Sequence, residues 1–386
     1  MKQRLDFIRN RSLAVGVVAA VLCILGAFLE PQQFLRSYLV AYVYWLGVPL
    51  GSLALLMLHH LVGGRWGFLI QRLLEAAVRT FPITAVLFLP LLFGMRRLYP
   101  WAMAHAAEAD QALTGGKGAY LSPAFFTVRA AVYFAVWIAC AYTLTKWSRE
   151  QDRGDVSLIG RLQSLSGPGL ALYGITATFS AVDWIMSLEP EWYSTIYGMI
   201  FMVSHGMAAL ACAIIAARIL AEDEPLASAA VPDLFHDLGN LLLSLVMFWA
   251  YLMFSQFLII WSENLAEEIP WYVRRTLGGW RYLAVLLIIF QFALPFLLLL
   301  SRTAKRRARV LAWIALLVLV MHWADLLWLI APAFHPKTFY LHWLDVVTLA
   351  AVGGLWIGAF AHYLGASALL PNDPRFVEAL REVEAT

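Results

Sequence analysis

Charge is scarce in this chain. Only 14% of its 386 residues are Asp, Glu, Lys or Arg, 62% are hydrophobic, and the mean hydropathy is +0.72. Soluble domains carry about 25% charged and about 45–50% apolar residues. The chain therefore lacks the polar side chains needed to cover a water-facing surface, and a soluble globule is excluded. An excess of one sign is lacking too. The 28 Lys and Arg stand against 25 Asp and Glu, a net +3, which excludes a basic nucleic-acid-binding domain. Cysteine is nearly absent. Cys23, Cys140 and Cys212 lie singly in apolar runs, with no CxxC, CxxCH or Cys/His cluster. That pattern supplies no iron–sulfur ligand set, no c-type haem attachment and no disulfide framework. Long polar stretches are missing as well, so no loop is large enough for a soluble domain.

What the chain has in abundance is apolar runs of membrane-crossing length. A helix spanning the hydrocarbon core needs roughly 20 apolar residues. Ten segments qualify: 12–29, 38–62, 76–98, 124–146, 168–188, 196–219, 238–262, 280–301, 309–331 and 341–364. An all-α polytopic membrane protein of ten transmembrane helices is predicted, with 1–386 a single integral membrane domain. The first run follows Lys2, Arg4, Arg9 and Arg11 but exceeds a signal-peptide core, and no small-x-small cleavage site follows it; it is read as a retained helix. With the N-terminus inside, most Lys and Arg fall on the inner side, including the run Arg302, Lys305, Arg306, Arg307 and Arg309. The positive-inside rule then places both termini in the cytoplasm. In the tail 371–386, Phe376, Ala379 and Leu380 allow a short surface helix.

Two segments read alike. Ser180-Ala-Val-Asp183-Trp184 and His322-Trp-Ala-Asp325 both end a span and both have a proline seven residues after the Asp (Pro190, Pro332), then an aromatic pair. A four-helix unit at 38–188 repeated as 196–331 would produce this, as would coincidence in an aromatic-rich chain.

Ionisable groups at membrane depth are expensive, so their positions carry information. Asp183, His205, His322 and Asp325 are the deepest, all in the outer half, and His322 and Asp325 share a helix face at i,i+3. They can relay protons or meet a quinol headgroup, a carboxylate fixing the histidine tautomer; alternatively each bonds to a neighbouring helix and locks packing. At the inner side Glu75 and Arg79 stand at i,i+4 and His236 and Asp237 precede a span. These are candidates for proton uptake or for a structural ion pair. The outer segment with Glu263, Asn264, Glu267, Glu268 and Trp271 mixes polar and aromatic groups suited to docking a partner. No bis-histidine haem and no metal site is expected in the chain.

The stretch from Ser255 through Gln256, Trp261, Asn264, Glu267 and Glu268 to Trp271-Tyr272, closed by Arg274-Arg275, resembles the NrfD/PsrC-like membrane subunits of alternative complex III. So do Phe179–Gly198 and Phe235-His-Asp-Leu-Gly-Asn240, and the chain length is nearer the shorter of that family's two paralogues. The resemblance implies a membrane subunit of a respiratory quinol:electron-acceptor oxidoreductase in the bacterial inner membrane. It implies as partners an iron–sulfur subunit, c-type cytochrome subunits and a paralogous NrfD-like membrane subunit, with redox centres outside this chain and menaquinol or another quinol as substrate. The residues alone leave two rivals: a proton-coupled membrane transporter, in keeping with Pro82, Pro90 and Pro295 inside apolar runs, and a purely structural membrane scaffold.

Overall fold

The computed structural model describes residues 2–103, 117–155, 157–224 and 226–373. The short helix expected around Phe376–Leu380 lies outside them. Among the described residues the structure is helical, with no strand.

The apolar runs form α1 (Lys2–Leu29), α2 (Pro31–Val62), α3 (Arg65–Val78), α4 (Phe81–Leu87), α5 (Leu89–Leu98), α6 (Pro123–Gln151), α7 (Leu158–Trp184), α8 (Tyr197–Leu220), α9 (Pro232–Glu263), α10 (Ile269–Thr276), α11 (Trp280–Leu300), α12 (Ala308–Ile330) and α13 (Trp343–Gly365). Proline opens α2, α6 and α9, where its missing N–H costs nothing and its fixed φ favours the first turn. Asn264 closes α9 in the left-handed conformation, φ 52°.

Nine of these helices, among the described residues, are long and apolar enough to cross a membrane. The run at 76–98 departs from a single straight span. It belongs to a pair, Arg65–Leu87 and Leu89–Leu98, bent by 47°. The bend falls at Phe88, just before Pro90, whose absent N–H removes a helical hydrogen bond. Counting the pair as one span gives ten.

Helix α2 runs through the centre, buried along nearly its whole length, while α1 turns Val17, Val18, Val21 and Phe28 outward. An apolar outside is what a hydrocarbon solvent requires, and small residues then let helices approach closely. Gly16 of α1 and Gly354 of α13 do this: a Cβ on Gly16 would stand 2.9 Å from the Gly354 carbonyl carbon. One end of the bundle gathers the start of α1, the end of α8 and the start of α9. There Arg4 donates to the Ile219 carbonyl (2.5 Å) and pairs with Glu222 (2.8 Å), and Arg65 pairs with Asp237 (3.4 Å). This is called the Lys2 end below, and the opposite one the far end.

Candidate functional site

Helices α2, α8, α9 and α12 converge on a polar centre in the far half of the bundle. His205 of α8 and His322 of α12 meet edge to face, ring centroids 5.9 Å apart and planes at 89°. His322 also stacks on Tyr44 of α2 (5.5 Å, 29°), and Phe201 touches His205 one turn away (3.9 Å). Both histidines and Asp325 are fully buried, and none of the four imidazole nitrogens has a protein hydrogen-bond partner.

The i,i+3 spacing places His322 and Asp325 on one face without bonding them to each other. Asp325 turns to α9, where its Oδ2 accepts from the Trp249 indole N–H at 3.3 Å, and its Oδ1 has no protein partner. The expected carboxylate contact that would set the His322 tautomer is not formed; the ring is instead stacked on Tyr44. Beside His205 lies a void of about 10 Å³, lined by Tyr197, Ser204, Ile185 and Leu329 among others. That is about the room one water needs, and the Ser204 hydroxyl there has no protein partner either.

Asp183 does not join this centre. Its carboxylate takes a bidentate pair from Arg129 of α6 (Nε 2.8 Å, Nη2 2.9 Å) and a third hydrogen bond from the Tyr133 hydroxyl (2.7 Å). Arg129 is held in turn by the Tyr120 carbonyl (2.7 Å) and lies over the Tyr120 ring (3.8 Å). The four deep residues thus divide into a compensated ion pair and a three-residue centre whose carboxylate has only an indole for partner. Arg129 was not among the candidates read from the sequence, although its position inside the apolar run 124–146 was an available signal. Tyr44 and Trp249 gave no signal, being ordinary aromatic residues of apolar helices.

Gln291 was missed as well. It sits on a π-helical turn, Leu287–Ala293, fully buried, and neither its amide N nor its O has a protein partner. Such turns recur at functional sites.

At the Lys2 end the expected pairing of Glu75 with Arg79 is replaced. Glu75 accepts from Arg72 (2.6 Å), Gln71 (3.0 Å) and Ser148 (2.6 Å), and Arg72 also pairs with Asp152. Arg79 points away and lies over the Tyr363 ring at 4.6 Å. His236 and Asp237 form a separate group: Asp237 pairs with Arg65, and His236 meets Asn240 at 3.3 Å, which accepts from the buried Lys305 at 2.6 Å.

Of the docking candidates, Glu263, Asn264 and Glu267 are exposed and Glu268 half-buried. Trp271 is not on that surface. It is buried, stacked on Trp192 at 4.5 Å, with the Arg275 guanidinium 3.7 Å above its ring. Arg275 pairs with Glu189 (2.8 Å) and donates to the Leu329 carbonyl (2.6 Å). Burial pulls the Arg275 pKa below its ordinary value against the pull of Glu189. This knot pins α10 to the end of α12.

No protein-family model matches the chain, and no curated protein matches it.

Proposed function

We propose that this chain is the integral membrane subunit of a respiratory quinol:electron-acceptor oxidoreductase of the alternative complex III type, with an NrfD-like fold, set in a bacterial inner membrane with both termini cytoplasmic. An iron–sulfur subunit, c-type cytochromes and a paralogous membrane subunit would carry or flank the redox centres. In this reading His205, His322 and Asp325 handle the protons that quinol oxidation releases.

One observation carries it. Asp325 is a fully buried carboxylate without a basic partner, beside two buried imidazoles without hydrogen-bond partners. A bundle built only for packing would pair such a group, as it does at Asp183 with Arg129. Uncompensated ionisable groups in a membrane are costly and mark ion and proton paths. Exposed Glu263 at the end of α9 and Glu267 in the turn after it fit the docking of a partner subunit.

The test is Asp325→Asn in the whole complex, since Asn keeps the shape and the acceptor for Trp249. Assembly should persist while quinol-linked turnover or proton release falls about tenfold or more, a modest share of what general acid–base groups contribute. An assembled variant with normal turnover and normal proton release would reduce the centre to helix packing.

A further inference from the structure

At the Lys2 end a cleft of about 430 Å³ opens between the α3–α4 junction, α6 and the end of α13. Its rim holds Arg79, Lys146, Arg149 and Arg153 against a single carboxylate, Glu150. The neighbouring anions are committed elsewhere: both Glu75 and Asp152 pair with Arg72. Among the described residues no ion pair engages any of the four cations. Besides lying over the Tyr363 ring, Arg79 reaches the Tyr363 carbonyl (3.5 Å) and the Ser367 hydroxyl (3.4 Å), both long contacts. Among the described residues four cations thus face one carboxylate; the excess positive charge repels itself, and an arrangement of this kind is stabilised by an anion.

The remaining wall decides which anion. Below the cations the cleft is lined by Val78, Phe81, Pro82, Ile138 and Ala141, and Tyr142 at its mouth is exposed on the outside of the bundle. A soluble phosphate would gain nothing from that apolar wall. An amphiphile gains on both sides: phosphate oxygens take the guanidinium donors, for which arginine is suited, while the first acyl carbons lie along α4 and α6. Volume and lining match those of small-ligand sites. Basic pockets between transmembrane helices recognise anionic lipid headgroups by the same means.

We propose that this cleft is a binding site for the headgroup of an anionic phospholipid. The site is independent of the buried His205–His322–Asp325 centre and of any redox role.

Full-length protein, purified and delipidated in a neutral detergent, is titrated with phosphatidylglycerol, with phosphatidylcholine and with inorganic phosphate, and bound lipid is counted by native mass spectrometry. Phosphatidylglycerol should bind about tenfold or more tighter than phosphatidylcholine, and inorganic phosphate should not displace it. Each cation removed should weaken phosphatidylglycerol by about fivefold. The rim variant Lys146→Gln/Arg153→Gln removes two exposed side chains and leaves folding intact; Arg79→Gln/Arg149→Gln reaches deeper, and if it fails to fold the rim variant decides. Equal affinity for the two lipids, an unchanged affinity in the rim variant, or displacement by inorganic phosphate at lipid concentrations would each overturn the proposal.

Discussion

His205 of α8 meets His322 of α12 edge to face, 5.9 Å apart, because glycines of α2 make room for His205 while Tyr44 of the same helix stacks on His322. A Cβ on Gly47 would lie 2.5 Å from His205 Cδ2, and one on Gly51 would strike the His205 carbonyl group, 2.5 Å from its carbon. The glycines are thus part of how His205 is placed, although neither carries any chemistry of its own.

Gly51→Ala should therefore be costly. The obstructing atoms are backbone, so α2 and α8 must separate, and overpacking of this kind costs about 1–3 kcal/mol. Gly206→Ala is the control next to the same histidine. Its Cβ meets nothing within 4 Å, and alanine gains about 0.5–1 kcal/mol of helix propensity over glycine. Thermal unfolding in detergent should lower the midpoint for the first and hold or raise it for the second; equal effects would contradict the close approach.

Trp249→Phe keeps an aromatic ring and removes the one donor to Asp325 among the described residues. Leaving a buried acceptor without its partner costs about 1–3 kcal/mol, whereas replacing both partners by apolar groups is far cheaper. The double variant Trp249→Phe/Asp325→Leu should consequently be less destabilised than the sum of its single variants. A double-mutant cycle by thermal unfolding reads this directly, and strict additivity would mean that the indole and carboxylate are not coupled.

The spans and the deep ionisable residues were legible in the sequence because both follow from solvent alone: apolar runs must lie in lipid, and a charge within them must be inside the bundle. Partner choice was not legible. Glu75 has an arginine at i−3 and another at i+4, and local spacing does not rank Arg72 against Arg79; Ser148 and Asp152, far along the chain, settle it by holding Arg72. Asp183 finds Arg129 across 54 residues. Trp271 read as interfacial because an indole suits an interface and a core equally, and only the Trp192 stack tells them apart. The bend at Phe88 was foreshadowed by Pro90, but hydropathy runs on through it.

At the far end, in the loop after α12, His335 sets a pH dependence. Its Nε2 faces the Arg36 guanidinium at 3.5 Å, a contact that suits the neutral ring as acceptor. Burial, and then Arg36, hold its pKa below the ordinary 6.5, with Asp345 opposing. Above that value both folded and unfolded chains are neutral at this residue. As pH falls through it the unfolded chain binds the proton first, so stability declines until the folded pKa is passed. Thermal midpoints compared at about pH 7.5 and about pH 5.5 should show a shallower fall for His335→Gln, which cannot titrate. An identical fall would place the pH sensitivity elsewhere.

Arg129 and Asp183 offer the sharpest contrast with the Asp325 centre. Both are buried, joined by two hydrogen bonds and completed by Tyr133. Removing one partner of a buried pair leaves the other charge uncompensated and costs about 3–5 kcal/mol. Arg129→Met should accordingly be severe, and so should Asp183→Leu. Replacing a buried pair by apolar residues of similar volume is often neutral, since the desolvation of both charges is relieved together. Arg129→Met/Asp183→Leu should therefore recover most of the loss, with the Tyr133 hydroxyl and the Tyr120 carbonyl each losing a partner. If the double variant folds stably and, within the complex, turnover is normal, the pair is structural, as its complete compensation implies. If it folds stably while turnover is lost, Asp183 belongs with His205, His322 and Asp325 in the chemistry despite its separate geometry.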